Sequence, residues 1–461
     1  MTNSLATPTK LANLPEVPLA DGGHPILGHI DNLQKDPLNF YLNMHRRYGD
    51  LVRMRSGPWS WVAIRHPDHL KHVLQDNNTN YHKGIFYEEL RLLVGNGLIT
   101  SDGDFWLRQR RLAQPAFHRH KIASFADTMV NYTGDMLDRW QAHPADQPLD
   151  IHHEMMALTL RIVGQALFGS DVSSQASEIG DAVTYALDFI NDRGTRILNA
   201  PMAAPLPAHQ KFKQATNRLD TVIQRLIDTR RRTGDLGDDL LTMLLHARDE
   251  DTQAQMTDQQ LRDEAMTIFL AGHETTANLL TWAFYLLSVH PTVRQKLEAE
   301  IADVLGGRPP TFADLPNLRY TRMVIDETLR LYPTAWLISR TATHDDAIGG
   351  YRIPANTPIS MSIFITHRDP RWWPNPEGFD PERFAPETDD SRPRFAYLPF
   401  GGGPRLCIGN NFAIIEAQIV MAMLTQRFQL NAVPGYLPVP EPAVTLRPRY
   451  GMPMQLVARQ N

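Results

Sequence analysis

One cysteine, Cys407, stands in 461 residues, inside Phe400-Gly-Gly-Gly-Pro-Arg-Leu-Cys-Ile-Gly409 and just ahead of a helical stretch. Glycines permit positive φ and close backbone approach to a flat ligand, and N–H groups at a helix N-terminus stabilise an anion such as a thiolate. A thiolate held this way can act as a nucleophile, which calls for a histidine base and an orienting Asn or Asp. It can instead be a metal ligand, and one thiolate without a second cysteine points to haem, whose four equatorial ligands come from the macrocycle. A small buried core residue is the third reading and the commonest fate of a lone cysteine. The single thiol also excludes an intrachain disulfide and every multi-cysteine zinc or iron–sulfur site.

Three other groupings carry chemistry. Ala271-Gly272-His273-Glu274-Thr275-Thr276 sets a glycine and polar side chains in the middle of an apolar helical run. Glycine costs a helix about 1 kcal/mol relative to alanine, and buried polar groups need partners, so the sharper reading is a widened turn facing a pocket and the blander one an exposed turn. Glu327 and Arg330, three apart, share one helical face and can pair bidentately. Arg108, Arg111, His118, Arg119, His120 and Lys121 form a basic cluster, either a solvated face or a dock for an acidic partner. His152-His153-Glu154 lacks the second histidine of a zincin, since Ala157 occupies that place, and no phosphate-cradling glycine motif ends in Gly-Lys-Ser/Thr.

Elements must bring these together. Pro37–Tyr48 predicts a helix, and 51–55 with 59–64 a hairpin turned at Ser56-Gly57-Pro58. From Asp68 to Leu305 apolar residues recur at three and four, so most of the chain is helical. Thr257-Asp-Gln-Gln260 has the capping-box pattern, and the helix it starts runs until Pro291 stops it. Roughly 33 residues at about 1.5 Å each span about 50 Å, so this helix crosses the core. Strands are expected at 337–341 and 358–365, a Pro- and Trp-rich loop at 368–386, and a last helix at about 410–427.

At this point the sequence resembles the cytochrome P450 family from about residue 24 to the C-terminus. Phe400, Gly403, Arg405, Cys407 and Gly409 match its Phe-x-x-Gly-x-Arg-x-Cys-x-Gly signature. Ala271, Gly272, Glu274, Thr275 and Thr276 match its oxygen-binding turn, Glu327-Thr-Leu-Arg330 its Glu-x-x-Arg helix, and Phe379-Asp-Pro-Glu-Arg383-Phe its Pro-Glu-Arg-Phe loop. The resemblance implies a mainly α fold with a smaller β-rich lobe, haem b (iron protoporphyrin IX) lying between the long central helix and the cysteine loop. It implies one domain over 1–461, with an extended segment at 1–23 and the β-rich lobe drawn from roughly 24–70 and 335–365.

The same resemblance makes Cys407 the iron's axial ligand, with Phe400 keeping the thiolate dry and Arg405, Arg110, Trp106, Arg340 and Lys83 meeting the propionates. Thr275 and Glu274 become the catalytic pair that manages protons at bound oxygen. Glu327, Arg330 and Arg383 become a network locking the Pro-rich loop beneath the haem. His273 takes a variable position and is expected to be structural, and Ala271, without a carboxylate, predicts no ester link to haem. The pocket wall is expected from Phe86, Ile99, Phe189, Ile268, Ala271, Trp336, Leu337 and Tyr450, hence a hydrophobic substrate of fatty-acid, terpene or polyketide class.

The implied activity is a monooxygenase that hydroxylates or epoxidises such a molecule with dioxygen. No reductase is expected in the chain, so a separate ferredoxin or flavodoxin-type donor with its NAD(P)H reductase is implied. A peroxygenase or isomerase, or a non-catalytic haem sensor, is the alternative, and the Glu274–Thr275 pair weighs against both. Composition agrees: 46 Lys+Arg against 51 Asp+Glu give a net charge of −5 and no basic tract for nucleic acid. No stretch gives about 18 unbroken apolar residues and no secretory leader is visible, so a cytoplasmic protein without a membrane span is expected.

Overall fold

The structure is a computed structural model and describes residues 11–169, 176–233, 239–248, 253, 255–388 and 391–459. Residues 1–10 of the expected extended segment lie outside these. The described part of that segment follows the sheet surface, with bridges from Glu16 to Arg352 and from Leu19 to Arg53.

The central helix is Asp258–Val289. Thr257 Oγ1 accepts from the Gln260 N–H at 3.2 Å while the Gln260 side chain accepts from the Thr257 N–H at 2.8 Å, the reciprocal cap that the sequence predicts. Its apolar residues face all directions rather than one stripe, which fits a helix enclosed by others. It packs most extensively on Ile151–Phe168, and also against Arg319–Leu331 and Asn410–Arg427, while Asn410–Arg427 packs on Arg119–Trp140. Gly272 sits in this packing: a Cβ there would lie 2.8 Å from Val163 Cγ2 of the neighbouring helix. The glycine in the central motif therefore lets two helices approach. The helix stays α-helical through the motif rather than widening into a distinct turn. Two of its carbonyls also take hydroxyls, Ala271 from Thr275 at 2.7 Å and His273 from Thr159 at 2.9 Å.

One apolar core runs through these helices from Leu90 to Leu456, and two smaller clusters lie against the β-rich side. The five-stranded sheet there orders Leu51–Ser56, Trp59–Ile64, Pro358–Ser362, Leu337–Ala342 and Tyr81–His82. The hairpin pairs Leu51 with Ile64 through Ser56 with Trp59, and 62–64 pair parallel to 359–361.

Three expectations change. The strand expected to reach residue 365 ends at Ser362, whose hydroxyl accepts from the Ile365 N–H at 3.4 Å and so caps a short helix, Ile363–Thr366. The strands Tyr81–His82 and Leu149–Asp150 are too short to carry a period of two in sequence. A third sheet, Leu149–Asp150, Pro453–Ala458 and Phe428–Ala432, lies outside the segments expected to build the β-rich lobe.

Candidate functional site

The cysteine loop is a folded turn. Cys407 N–H donates to the Phe400 carbonyl at 3.0 Å, and Gly401 and Gly403 adopt φ of +73° and +66°. A Cβ on Gly403 would collide with the Leu74 carbonyl oxygen, so this glycine admits the backbone at residues 74–75, not a ligand. Protein surrounds Cys407, and that burial pushes its thiol up, against the Gly409 N–H and the Arg110 guanidinium, which favour the thiolate. Yet the residue is exposed. A residue both surrounded and exposed opens on an internal cleft. Ala271 gives the same signal: it is exposed in the middle of a helix whose central residues are mostly buried, and Thr275, one turn on, is partly exposed.

The strongest test of what fits this cleft is charge. Lys83, Arg340 and Arg405 lie near enough that burial first, then Arg340 and Arg405, depress the Lys83 ammonium well below its usual range. Burial lowers Arg405 to about 10, with Arg340 adding repulsion and Asp102 opposing it. Asp102 is the carboxylate set against this trio: it accepts from Arg405 Nη2 at 2.5 Å and from the Lys83 N–H at 2.7 Å. Arg405 also donates to the Ser101 carbonyl at 2.8 Å and stacks on Trp106 with its carbon 4.1 Å from the ring centre. Three crowded cations on one carboxylate call for further negative charge. Together with one thiol opening on the cleft, the donor set fits a flat dianionic macrocycle such as haem, whose metal would deprotonate a thiol that bound it.

On the helix side, Thr275 Oγ1 donates to the Ala271 carbonyl. Glu274 is buried and accepts from Thr445 Oγ1 at 2.7 Å, and burial pushes its carboxyl up. His273 is buried against Ile151–Phe168, and desolvation holds it near 4, so it is neutral packing and not a ligand facing the cleft.

Glu327 and Arg330 are both fully buried. Arg330 Nε and Nη2 reach Glu327 at 2.6 and 2.8 Å, and its remaining N–H groups bind the carbonyls of His367, Pro376 and Gly378. Glu327 also accepts from the Asp380 N–H at 2.9 Å, and Arg383 lies 3.4 Å away. The long loop, with one 3-10 turn at Pro381–Phe384, is therefore tied from within by this ion pair, alongside outer contacts such as Arg371 Nη1 on Asp50 at 2.9 Å.

The expected wall residues are not all brought together. Ile268 is buried on the helix face that carries Ala271 and Thr275. Phe86 and Ile99 are partly exposed, and Phe86 lies over Gly194. Phe189 instead stacks on Phe212 at 4.4 Å, between Ala176–Gly194 and Pro207–Thr233. Trp336 is buried beside Tyr41 and donates to the Ala443 carbonyl at 2.8 Å, and Leu337 packs in the same cluster. Tyr450 is largely exposed. Position in the chain gives a residue's neighbourhood, but which way an aromatic ring turns depends on the partner helix.

Sequence reading missed Asp102, which joins the Lys83 backbone to Arg405, and Glu416, buried on Asn410–Arg427 without a well-formed hydrogen bond among the described residues. Burial pushes Glu416 far up, and Thr276 only partly offsets it. A carboxylate on an apolar helix was the available signal for Glu416. Outside the loop, a groove of about 490 Å³ is lined by Arg322, Arg394, Gly402 and Asn410 among others, and next to it another is lined by Arg119, Arg319 and Asn411. Arg119 thus ties the basic cluster to the outer side of the cysteine loop.

Comparison with known proteins is consistent with this geometry. The Cytochrome P450 family model matches residues 18–451. The chain is 39% identical over 431 residues to cyclooctatin synthase of Streptomyces melanosporofaciens, covering 93% of each protein. It is 36% identical to cyclooctat-9-en-7-ol 5-monooxygenase of the same organism, over 93% of this chain and 94% of that one. It is 34% identical to pentalenene oxygenase of Streptomyces avermitilis, over 90% of this chain and 91% of the relative.

Proposed function

This chain belongs to the cytochrome P450 family and is a monooxygenase with haem as cofactor, and on that premise we propose that it hydroxylates a terpene skeleton. Relatives named as a cyclooctat-9-en-7-ol 5-monooxygenase and a pentalenene oxygenase, at 36% and 34% identity over most of both chains, support the substrate class. A mainly apolar helix face around Ile268 and Ala271 supports a hydrophobic guest.

The roles follow from the site. Cys407 would hold the iron as its thiolate. Lys83, Arg340 and Arg405, with Trp106 and Arg110, would meet the two propionates, whose charge would relieve the crowding of cations around Asp102, the observation that carries the cofactor reading. Haem b fits, since no second cysteine offers a thioether and Ala271 offers no ester. Phe400 shields the sulfur. Once bound, the haem supplies the dioxygen binding and redox chemistry that side chains lack. Thr275 holds a hydroxyl at the distal side and Glu274, whose burial favours the protonated carboxyl, supplies protons. Glu327, Arg330 and Arg383 keep the Pro-rich loop in place under the cofactor.

Two electrons come from redox partners, which we read as a ferredoxin or flavodoxin-type protein with its NAD(P)H reductase. Arg119, Arg319, Arg322 and Arg394 around the grooves outside the cysteine loop support an acidic docking partner. No helix among the described residues is long and apolar enough to cross a membrane. The continuous core supports one domain, and the single cysteine supports a cytoplasmic setting.

The test is a reduced carbon-monoxide spectrum of wild type and Cys407→Ala, followed by a substrate-binding spectral screen of terpenes, fatty acids and polyketides. A thiolate-type Soret band lost in the variant, and spectral shifts confined to terpenes, are expected. Tight fatty-acid binding with silent terpenes would overturn the substrate class.

A further inference from the structure

Glu274 does not face Thr275. Neighbouring residues on a helix point about 100° apart, and here the Thr275 hydroxyl rests on the Ala271 carbonyl while the Glu274 carboxyl turns to Thr445. Behind Thr445 the contacts continue. Asn278 Nδ2 donates to Thr445 Oγ1 at 3.0 Å, and Asn278 Oδ1 lies 3.0 Å from His152 Nε2. Glu274, Asn278 and Thr445 are buried, whereas His152, on Ile151–Phe168, is partly exposed.

The donor logic runs one way. His152 Nε2–H occupies the Asn278 oxygen, which turns the Asn278 amide N–H groups toward Thr445. Receiving that N–H, the Thr445 oxygen has its own hydrogen free to go to Glu274 Oε1. A donor fixed on a carboxyl favours its charged form, and this opposes the burial that pushes Glu274 up. An amide does not pass protons along as a carboxyl or imidazole does, so Asn278 orients the row and does not conduct through it.

We propose that Thr445, Asn278 and His152 are positioning residues: a hydrogen-bonded row, reaching from the partly exposed His152 to the distal acid, that sets the orientation and proton affinity of Glu274. The charged neighbours are few. Arg447 and Asp188 act on Glu274, and Asp150, Arg447 and His153 act on His152. Arg447 is itself held by Glu441 at 2.9 Å and by Asp188. The inference rests on Glu274 as the distal proton donor, but its first test does not.

In the reduced, carbon-monoxide-bound holoprotein, the His152 titration is followed by NMR in wild type, Thr445→Val, Thr445→Ser and Glu274→Gln. Thr445→Val keeps the volume but frees the Asn278 amide, so the His152 midpoint falls by a few tenths of a pH unit or more. Glu274→Gln lowers it too, and Thr445→Ser restores it. An unchanged midpoint in both Thr445→Val and Glu274→Gln would overturn the row.

The second measurement is product formed per NAD(P)H consumed, against pH. Without its donor Glu274 holds a proton to higher pH, so the alkaline limb of that profile moves up in Thr445→Val and returns in Thr445→Ser. A limb that stays in place in Thr445→Val, while Glu274→Gln abolishes it, overturns the positioning role. If Glu274→Gln itself leaves the profile intact, Glu274 is not the donor, and that failure is told apart from failure of the row by the His152 titration.

Discussion

Two buried carboxylates, Glu327 and Glu274, show how one residue type takes two jobs. Glu327 is surrounded by fixed partners: a bidentate guanidinium, the Asp380 N–H and, at 3.4 Å, Arg383. Glu274 has one neutral donor, the Thr445 hydroxyl, and no cation within ion-pair distance among the described residues. A carboxylate held by several matched donors is fixed in place and fixes geometry. A carboxyl with one neutral donor sits closer to the balance between charged and neutral, which is what a proton-handling group needs. Burial alone therefore does not distinguish structural from chemical; the number and charge of the partners does.

Breaking the first arrangement gives the largest effect. Glu327→Ala strands the Arg330 guanidinium in the core at a cost of about 3–5 kcal/mol, enough to loosen the Pro-rich loop. The purified variant is expected to carry little haem, and its urea midpoint to fall; full haem content would show that the loop is held by other contacts. By contrast, Glu274→Gln is expected to keep haem content and fold, and to lose product formed per NAD(P)H consumed.

A third buried carboxylate sharpens the contrast. Glu264, on the same helix as Glu274, has one oxygen on the Leu98 N–H at 3.0 Å and the other without a partner among the described residues. Burial, aided by Asp263, raises it to about 8 from an ordinary 4.5. A carboxyl raised on folding binds its proton more tightly when native, so its contribution is fully present below the unfolded value and is lost as pH rises toward 8. Between pH 4.5 and pH 8, wild-type stability relative to Glu264→Gln should then fall by a few kcal/mol, with a slope of ~1.4 kcal/mol for each step of one in pH. Chemical denaturation across that range checks it, and a difference that does not change with pH would refute it.

The smallest effect concerns the glycine beside the Glu274 pair. Gly272→Ala places a methyl against Val163, which is stiff at χ1 and cannot swing aside. Overpacking costs about 1–3 kcal/mol, and the better helix former returns about 1 kcal/mol, leaving a net loss on the order of 1 kcal/mol. Val163→Ala added to Gly272→Ala should recover most of the overpacking, giving a coupling in the double-mutant cycle. Independent effects would mean that the glycine serves the cleft and not the helix contact.

Much of this was legible in the sequence because it rests on local rules. The Thr257–Gln260 cap, the stop before Pro291, the hairpin at Gly57 and the helix over Asn410–Arg427 follow from cap chemistry and periodicity. The single thiol was countable, which left one candidate sulfur, and its reading as a ligand came from the motif around it. The Glu327–Arg330 pair was readable from a spacing of three on a helix.

What only the tertiary structure decided involves groups far apart in the chain. Asp102 meets Arg405 across 303 positions, and Thr445 meets Glu274 across 171. Phe189 and Trp336 turned from the expected wall to the helix interface and the β-side core because Phe212 and Tyr41 offered closer packing. Gly272 read as a weak point in a helix and proved to be a contact, and Gly403 read as room for a ligand and proved to be room for the Leu74 backbone. Propensity and spacing act through neighbours within a few residues, so they determine elements and pairs on one helix. The proton affinity of a carboxyl depends on whatever the fold packs against it, and that is fixed only when distant segments meet.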